Sequence, residues 1–376
     1  MTEFQKMPAK QAVVFGSEQF LNSPNYAFSM ATRLDGFEMK DADSTLGSEA
    51  GSLPFSISMQ GLNNTVNRLA KRMTSEVSGV IDSPNGLYEF TPVWKYNSKN
   101  LNVDIRTPVA YSNKQKALFV DFSAFDGLLA NPANEGKYSR FDLSKLPIHD
   151  KGPQLTTAIA KATSRTIESL NSTSLVDLPL TDGDKKSRIA RKVQVTTSYA
   201  ENQKYMPELV VDLVNVFAPE LTKKTGENSP FNVTDMRKAL EETNKIIAPS
   251  SSVVSVVSYD KNGSMLRYEE KLNLAMGDFE TKNTPIPKFS VQTTTTMNIS
   301  NIGTATLANA PTAENSVDGI ENAKGSLLGK FFVDAFQADK EAVVDKTPKG
   351  KPSKYGTKHA TADAARAAVD AAKAPY

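Results

Sequence analysis

GLYEFTPVWKYNSKNLNVDIRTPVAYSNKQKALFVDF, running from Gly86 to Phe122, is the stretch that decides the fold. It holds three runs of period-two alternation, parted by polar clusters at Asn97-Ser98-Lys99-Asn100 and Ser112-Asn113-Lys114-Gln115. Alternation between turn clusters is the signature of an antiparallel meander. In the first strand Tyr88, Phe90, Trp94 and Tyr96 share one face, and Leu87, Glu89, Thr91, Val93 and Lys95 the other. In the second, Leu101, Val103 and Ile105 oppose Asn102, Asp104 and Arg106; the third sets Ala117, Phe119 and Asp121 against Leu118, Val120 and Phe122. One sheet face is therefore apolar enough to need a cover, which either a packed helix or an apolar ligand can supply.

A second region of the same kind lies far downstream. Val253, Val254, Val256 and Val257 lead to the turn Asp260-Lys261-Asn262-Gly263, whose Asn-Gly pair tolerates positive φ. Leu266, Tyr268, Glu270, Leu272, Leu274 and Met276 then alternate, and after a polar break so do Phe289, Val291, Thr293, Thr295, Met297 and Ile299. Helices followed by a three-strand meander thus occur twice, in sequences that do not align residue for residue. The pattern reads as a structural duplication.

Between and around the meanders the period changes. Residues 1–24 read as an irregular lead-in, followed by a short strand at Tyr26 to Arg33 and another at Phe55 to Met59. The stripe Val66, Leu69, Met73, Val77 and Val80 predicts an amphipathic helix from Thr65 to Ile81. Further helices are predicted over Gln154 to Asn171, Tyr205 to Leu221 and Asn232 to Ile247. Asn131 to Pro153 reads as a turn-rich connection, and KKSRIARK, Lys185 to Lys192, as a basic surface turn ahead of a strand from Val193 to Tyr199. Beyond Ile302 the chain is polar until the apolar stripe Leu327, Leu328, Phe331, Phe332, Ala335 and Phe336. A Pro-, Gly- and Lys-rich linker and an alanine-rich tail follow.

Composition removes several kinds of chemistry. The 376 residues include no cysteine, which excludes disulfides, thiolate metal sites and cysteine nucleophiles. The two histidines, His149 and His359, lie far apart and in unlike contexts. Forty-four basic against 42 acidic residues give a net charge of +2, too near neutral for a whole-protein case for nucleic acid. The acidic loop carrying Asp41, Asp43 and Glu49 lacks EF-hand ligand spacing and reads as solvated. Phosphate-binding Gly-Lys-Ser/Thr loops, Gly-rich dinucleotide turns, Gly-x-Ser-x-Gly elbows and His-Glu-x-x-His are all missing. Glu269 and Glu270 project to opposite faces of a strand, which disfavours joint acid/base work. A hydrolase is the weakest of the function classes considered.

SVVSYDKNGSMLRYEEKLNLAM, followed by FSVQTTTTMNISNIG, resembles the hairpins of bacterial envelope lipoproteins and of the lipoprotein-carrier superfamily. The resemblance covers Gly86 to Phe122 and Val253 to Ile299 and transfers no catalytic residue. It implies a curved antiparallel sheet with helices in its concave face and an acyl chain or other apolar ligand bound there. It also implies a periplasmic or outer-membrane-anchored setting, with membrane association only through a removed N-terminal anchor. The cysteine-free composition leans the same way. The N-terminal apolar patch Ala12 to Gly16 is too short for a secretory or membrane-spanning segment, so a native start at Met1 implies a cytosolic protein instead.

The resulting expectation is an α+β protein of curved, half-barrel-like antiparallel sheets with helices packed on the concave face, in two similar halves. The segments are a lead-in with a short strand (1–52), a first helix-plus-meander unit (53–153), a helical middle (154–249), a second meander with an apolar helix (250–340) and a basic, alanine-rich tail (341–376). The helices at Thr65 to Ile81 and Tyr205 to Leu221 are expected to cover the sheet. The function expected is non-catalytic binding of a lipid-like ligand, with Phe90, Trp94, Tyr96, Phe119 and Tyr268 as wall residues and no cofactor, metal or nucleic acid. The alternative is a structural or interaction module with an envelope protein partner, contacting it through Phe331, Phe332 and the basic tail.

Overall fold

The computed structural model describes residues 2–40, 45–46, 57–144, 151–217, 233–276, 279–281, 284–286, 288–307 and 310–329. Asp41, Asp43, Glu49, His149, Leu221, Phe331, Phe332 and the tail lie outside them. The helices are α1 (Glu3–Lys6), α2 (Ala9–Leu21), α3 (Met59–Ala70), α4 (Gly152–Ser169), α5 (Asp182–Lys186), α6 (Tyr199–Gln203), α7 (Met206–Phe217), α8 (Val233–Ile246) and α9 (Gly319–Lys324). The strands before α4 are β1 (Asn25–Lys40), β2 (Thr45–Leu46), β3 (Ile57–Ser58), β4 (Met73–Asp82), β5 (Leu87–Asn97), β6 (Asn102–Arg106), β7 (Val109–Ser112), β8 (Ala117–Val120) and β9 (Tyr138–Asp142). Those after it are β10 (Leu175–Leu178), β11 (Arg191–Ser198), β12 (Ser252–Tyr259), β13 (Met265–Ala275), β14 (Phe279–Thr281), β15 (Thr284–Ile286), β16 (Lys288–Ser300) and β17 (Ser316–Asp318).

Thirteen of these strands form one curved, unclosed sheet in the order β10-β11-β12-β13-β16-β1-β4-β5-β7-β8-β9-β17, with β6 also paired to β5. Every pair is antiparallel except β17 on β9. The two meanders are thus parts of a single sheet, joined through β1. Strand β1 pairs with β16 from Ala27↔Ser300 to Lys40↔Lys288, and with β4 from Asn25↔Asp82 to Thr32↔Ser75.

Because side chains alternate, this register sorts the whole sheet into two faces. One row across it reads Pro92, Val77, Met30, Met297, Tyr268, Val257 and Val193, all on one face. The adjacent row on that face reads Trp94, Ser75, Thr32, Thr295, Glu270, Ser255 and Val195. The Thr32 and Thr295 hydroxyls lie 3.1 Å apart, as that register requires. The opposite face carries the Lys95–Glu76 pair at 2.7 Å, with Arg33, Arg267, Glu269 and Lys271.

The main core forms where helices meet the first face. Phe4, Ala12 and Val13 from α1 and α2, with Ile167 from α4 and Leu170 just beyond it, pack on Leu175, Val193, Val257, Tyr259, Met265 and Ile299 of the strands. The N-terminal residues are therefore a structural cover, where an irregular lead-in was expected. Helix α2 reaches the sheet closely because it presents Ala12, Gly16 and Ser17 at helical spacing. A Cβ on Gly16 would stand 2.2 Å from the fully buried Tyr259 ring, so no side chain fits there. Short, small-residue periodicity gives little hydrophobic signal, which is why the helix is hard to see in the sequence.

The expected helix from Thr65 to Ile81 is corrected to a helix ending at Ala70 and a strand beginning at Met73. Its apparent stripe was assembled from two periods: Val66 and Leu69 belong to α3, whereas Met73 and Val77 alternate along β4. The segment TSEVSGVID is rich in Thr, Ser, Val and Gly, which favour strands or oppose helices. Gly79 sits between Phe28 and Phe90 on neighbouring strands, whose rings meet at 5.9 Å. The cover of the main core therefore comes from α1, α2 and α4, with α7 behind; of 65–81 only the α3 part is helical, and it lies against β1.

Three smaller differences follow from local chemistry. The first meander's second strand is split into β6 and β7 at Thr107-Pro108, because Pro108 has no N–H to give the ladder. The connection 131–153 contains β9, which pairs β8. The basic run is partly internal: the Arg191 guanidinium is buried and donates to both Asp177 oxygens, at 2.7 and 3.0 Å, and to the Phe4 carbonyl at 2.9 Å. Lys192 pairs with Asp184 at 3.1 Å.

Two predictions follow. Gly16→Ala overpacks the α2–Tyr259 contact and destabilises the fold by about 1–3 kcal/mol; an unchanged denaturant midpoint would show that α2 is not seated there. The Asp184 carboxyl is held down at about 2 by the Thr181 backbone N–H, aided by the Thr181 hydroxyl and Lys192. Its contribution is complete above its ordinary value of 3.8 and is lost as pH falls toward 2. The stability gap between wild type and Asp184→Asn should accordingly close across that window in acid unfolding curves.

Candidate functional site

Among the described residues, a cavity of about 310 Å³ lies between the sheet and the helices α4 and α7. Its floor is the helix-facing side of three strands: Val195 and Thr197 of β11, Ser255 and Val257 of β12, Met265 and Tyr268 of β13. Helix α4 contributes Ala162, Thr163, Thr166 and Ile167, spaced at three and four residues along one face. Helix α2 adds Val13 and Ser17, and the α6–α7 junction closes the remaining side with Asn202, Gln203, Tyr205, Met206 and Leu209. The volume falls at the small end of ordinary ligand pockets.

The lining is mostly apolar, and among the described residues no Lys, Arg, His, Asp or Glu belongs to it. Polar groups come from both sides: Thr163, Asn202 and Gln203 from the helices, and a hydrogen-bonded cluster at the sheet. The Tyr268 hydroxyl donates to Glu270 and lies 3.0 Å from the Ser255 Oγ. Ser255 and Glu270 are register partners across β12 and β13, and Glu270 stands two residues from Tyr268, so all three side chains occupy one face. Burial, reinforced by the Glu270 carboxylate, pushes the Tyr268 phenol well above the usual tyrosine range. Glu269 pairs with Val256 and Thr296 and points to the other face, as the alternation predicts.

The five wall residues expected from sequence fall in three places. Tyr268 lines the cavity. Phe119 is fully buried in a separate core with Ala110, Ala117 and Tyr138, on the far side of the sheet. Phe90, Trp94 and Tyr96 share the cavity's face, but on β5, four strands away from β13. There Phe90 is 39% exposed and Trp94 51% exposed, with Met73 beside them at 40%. Tyr96 is half-buried and its hydroxyl accepts from Arg72 at 3.3 Å. The five do not form one wall. Residues missed in the sequence are Ser255, Glu270 and the helical wall from Ala162 to Ile167; the alternation placing Ser255 opposite Glu270 was readable, but only once the strands' register is known.

No family model matches the chain, and no curated protein does. A solved structure of lipovitellin, described for its lipid–protein interactions, superposes with a TM-score of 0.22 and 8% identity, over 78% of this chain and 27% of that one. The chain thus spans about a quarter of the lipovitellin chain's length.

Tyr268 should be among the last tyrosines to ionise. In an absorbance titration at about pH 11, where ordinary tyrosines are mostly phenolate, Tyr268→Phe should leave the number of ionised tyrosines unchanged. A drop by one would place its hydroxyl in an ordinary solvated setting.

Proposed function

We propose that this protein binds an apolar or amphiphilic, lipid-like molecule without catalysing a reaction on it. The cavity between α4, α7 and the sheet supports this reading: it is walled by Val13, Ile167, Val195, Val257, Met206 and Leu209, has no charged lining group among the described residues, and has hydrogen-bonding groups at the sheet (Ser255, Tyr268) and at the α6–α7 junction (Asn202, Gln203). Apolar walls with a few convergent polar groups are what a small-molecule site requires. An exported, envelope setting belongs to the same proposal and rests on the cysteine-free composition and on the resemblance of the hairpins to envelope lipoproteins.

A second reading is favoured by a different observation. The exposed aromatic end of the same face, Phe90 and Trp94 with Met73, carries more apolar surface than isolated exposed residues would. That supports a structural or interaction module in which a protein partner covers β4 and β5.

Ala162→Phe separates the two, because it fills the cavity from α4 and leaves β5 untouched. Gently purified wild-type protein in native mass spectrometry should carry an added lipid-range mass or take up a neutral apolar fluorophore, N-phenyl-1-naphthylamine. Ala162→Phe should lose both while keeping its unfolding midpoint. A bare wild-type chain that also fails to take up the fluorophore would rule out the binding reading.

A further inference from the structure

The hydrogen-bond directions at the cavity wall set the kind of head group the site accepts, given that the proposed binding reading holds. Tyr268 has a single proton, and it is given to Glu270. The 3.0 Å contact between Tyr268 and Ser255 therefore has the serine as donor, since the phenol has no second proton to give. Ser255 in turn has then spent its only proton. What the pair still offers to the cavity is lone pairs: two on Ser255 Oγ and one on Tyr268 Oη. A carboxylate at the head of the chain imposes this polarity, because it accepts and does not donate.

No charged group reverses it at this wall, and the donating amides of Asn202 and Gln203 lie across the cavity, at the α6–α7 junction. Among the described residues no cation lines the cavity. Arg267 and Lys271 are odd-numbered residues of β13 and face away; Arg267 is engaged with Asn298 at 3.1 Å. A ligand oxygen without a proton, seated against Ser255 and Tyr268, would meet three lone pairs and a carboxylate behind them.

We propose that the site selects amphiphiles whose head group donates a hydrogen bond, such as a hydroxyl, amide N–H or ammonium, over those whose head group only accepts. Glu270 is a positioning residue: it orients Tyr268 and, through it, Ser255, without lining the cavity itself.

Displacement of N-phenyl-1-naphthylamine by three twelve-carbon competitors tests this. Dodecan-1-ol donates, methyl laurate only accepts, and laurate is an accepting anion. Dodecan-1-ol should displace the fluorophore at a concentration about five- to tenfold lower than methyl laurate, the worth of one satisfied hydrogen bond, and laurate should be no better than the ester. In Glu270→Gln the amide can donate to Tyr268 and turn both hydroxyls around, so the preference, read as the ratio of the two competitors in the same variant, should shrink toward onefold. Equal displacement by alcohol and ester in the wild type, or a preference that survives unaltered in Glu270→Gln, would overturn the inference and leave the cavity reading standing. Failure of the fluorophore to bind at all would instead remove the cavity reading beneath it.

Discussion

The structure depends on β1 being hydrogen-bonded along both edges, to β16 on one side and β4 on the other. Apart from β17, each half of the sheet is built from strands close in sequence that could form their own ladder. Only β1 makes them one surface, and its register decides which side chains share that surface. A slip by one residue would exchange Met30 and Thr32 for Ala31 and Arg33 on the helix-covered face. The matching of Thr32 with Thr295 and of Phe28 with the bare position Gly79 are the local contacts that resist such a slip.

From that register comes the division of labour across the face. Where α1, α2 and α4 press onto the strands, the face becomes core. Where α7 stands off behind α4, the cavity opens, and Tyr268 passes from packing residue to wall. Beyond β1 the described helices do not bury the aromatic residues of β5, and Trp94 is left half exposed. One continuous amphipathic sheet thus yields three environments, set by how closely helices approach and not by any change in the strands' own pattern. The serine, threonine and glutamate of the row through Ser75, Thr32, Thr295, Glu270 and Ser255 form a hydrophilic line inside an otherwise apolar face. The cavity uses one end of it.

Much of this was legible in the sequence because strands announce themselves by alternation. Strands β5, β12, β13 and β16 lie within a residue or two of where the period placed them, and the antiparallel α+β class followed from them, while the half-barrel curvature was implied by the resemblance of the hairpins. The misreadings share a cause: they occur where side-chain period and backbone state are decided by tertiary contact. Val66 to Val80 satisfied a helical stripe although Met73 onward is held as a strand by β1 and β5. Ala9 to Leu21 showed little apolar stripe because its buried face is small by necessity, Gly16 lying against Tyr259. At the site, Tyr268 was accessible from the alternation of β13, but its partners were not. Ser255 meets it through pairing between strands, and Ala162 and Leu209 through helix packing, neither of which a one-dimensional pattern contains. Phe119 was chosen for its aromatic character, and its burial on the opposite face depends on the pairing of β8 with β7 and β9.

The double pairing of β1 also has a consequence for the order in which the molecule can assemble. Strand β4 follows β1 within about fifty residues, but β16 is some 270 positions downstream. One edge of β1 can be satisfied early in synthesis, while the other stays open until nearly the whole described chain has emerged. Contacts this distant in sequence make folding slow. An unpaired edge flanked by Phe28 and Met30 is in that interval a template for wrong partners. The final docking of β13 and β16 onto β1 is therefore the expected rate-limiting event of folding, and the nascent protein is one that gains from a holding chaperone until its last long strand is made.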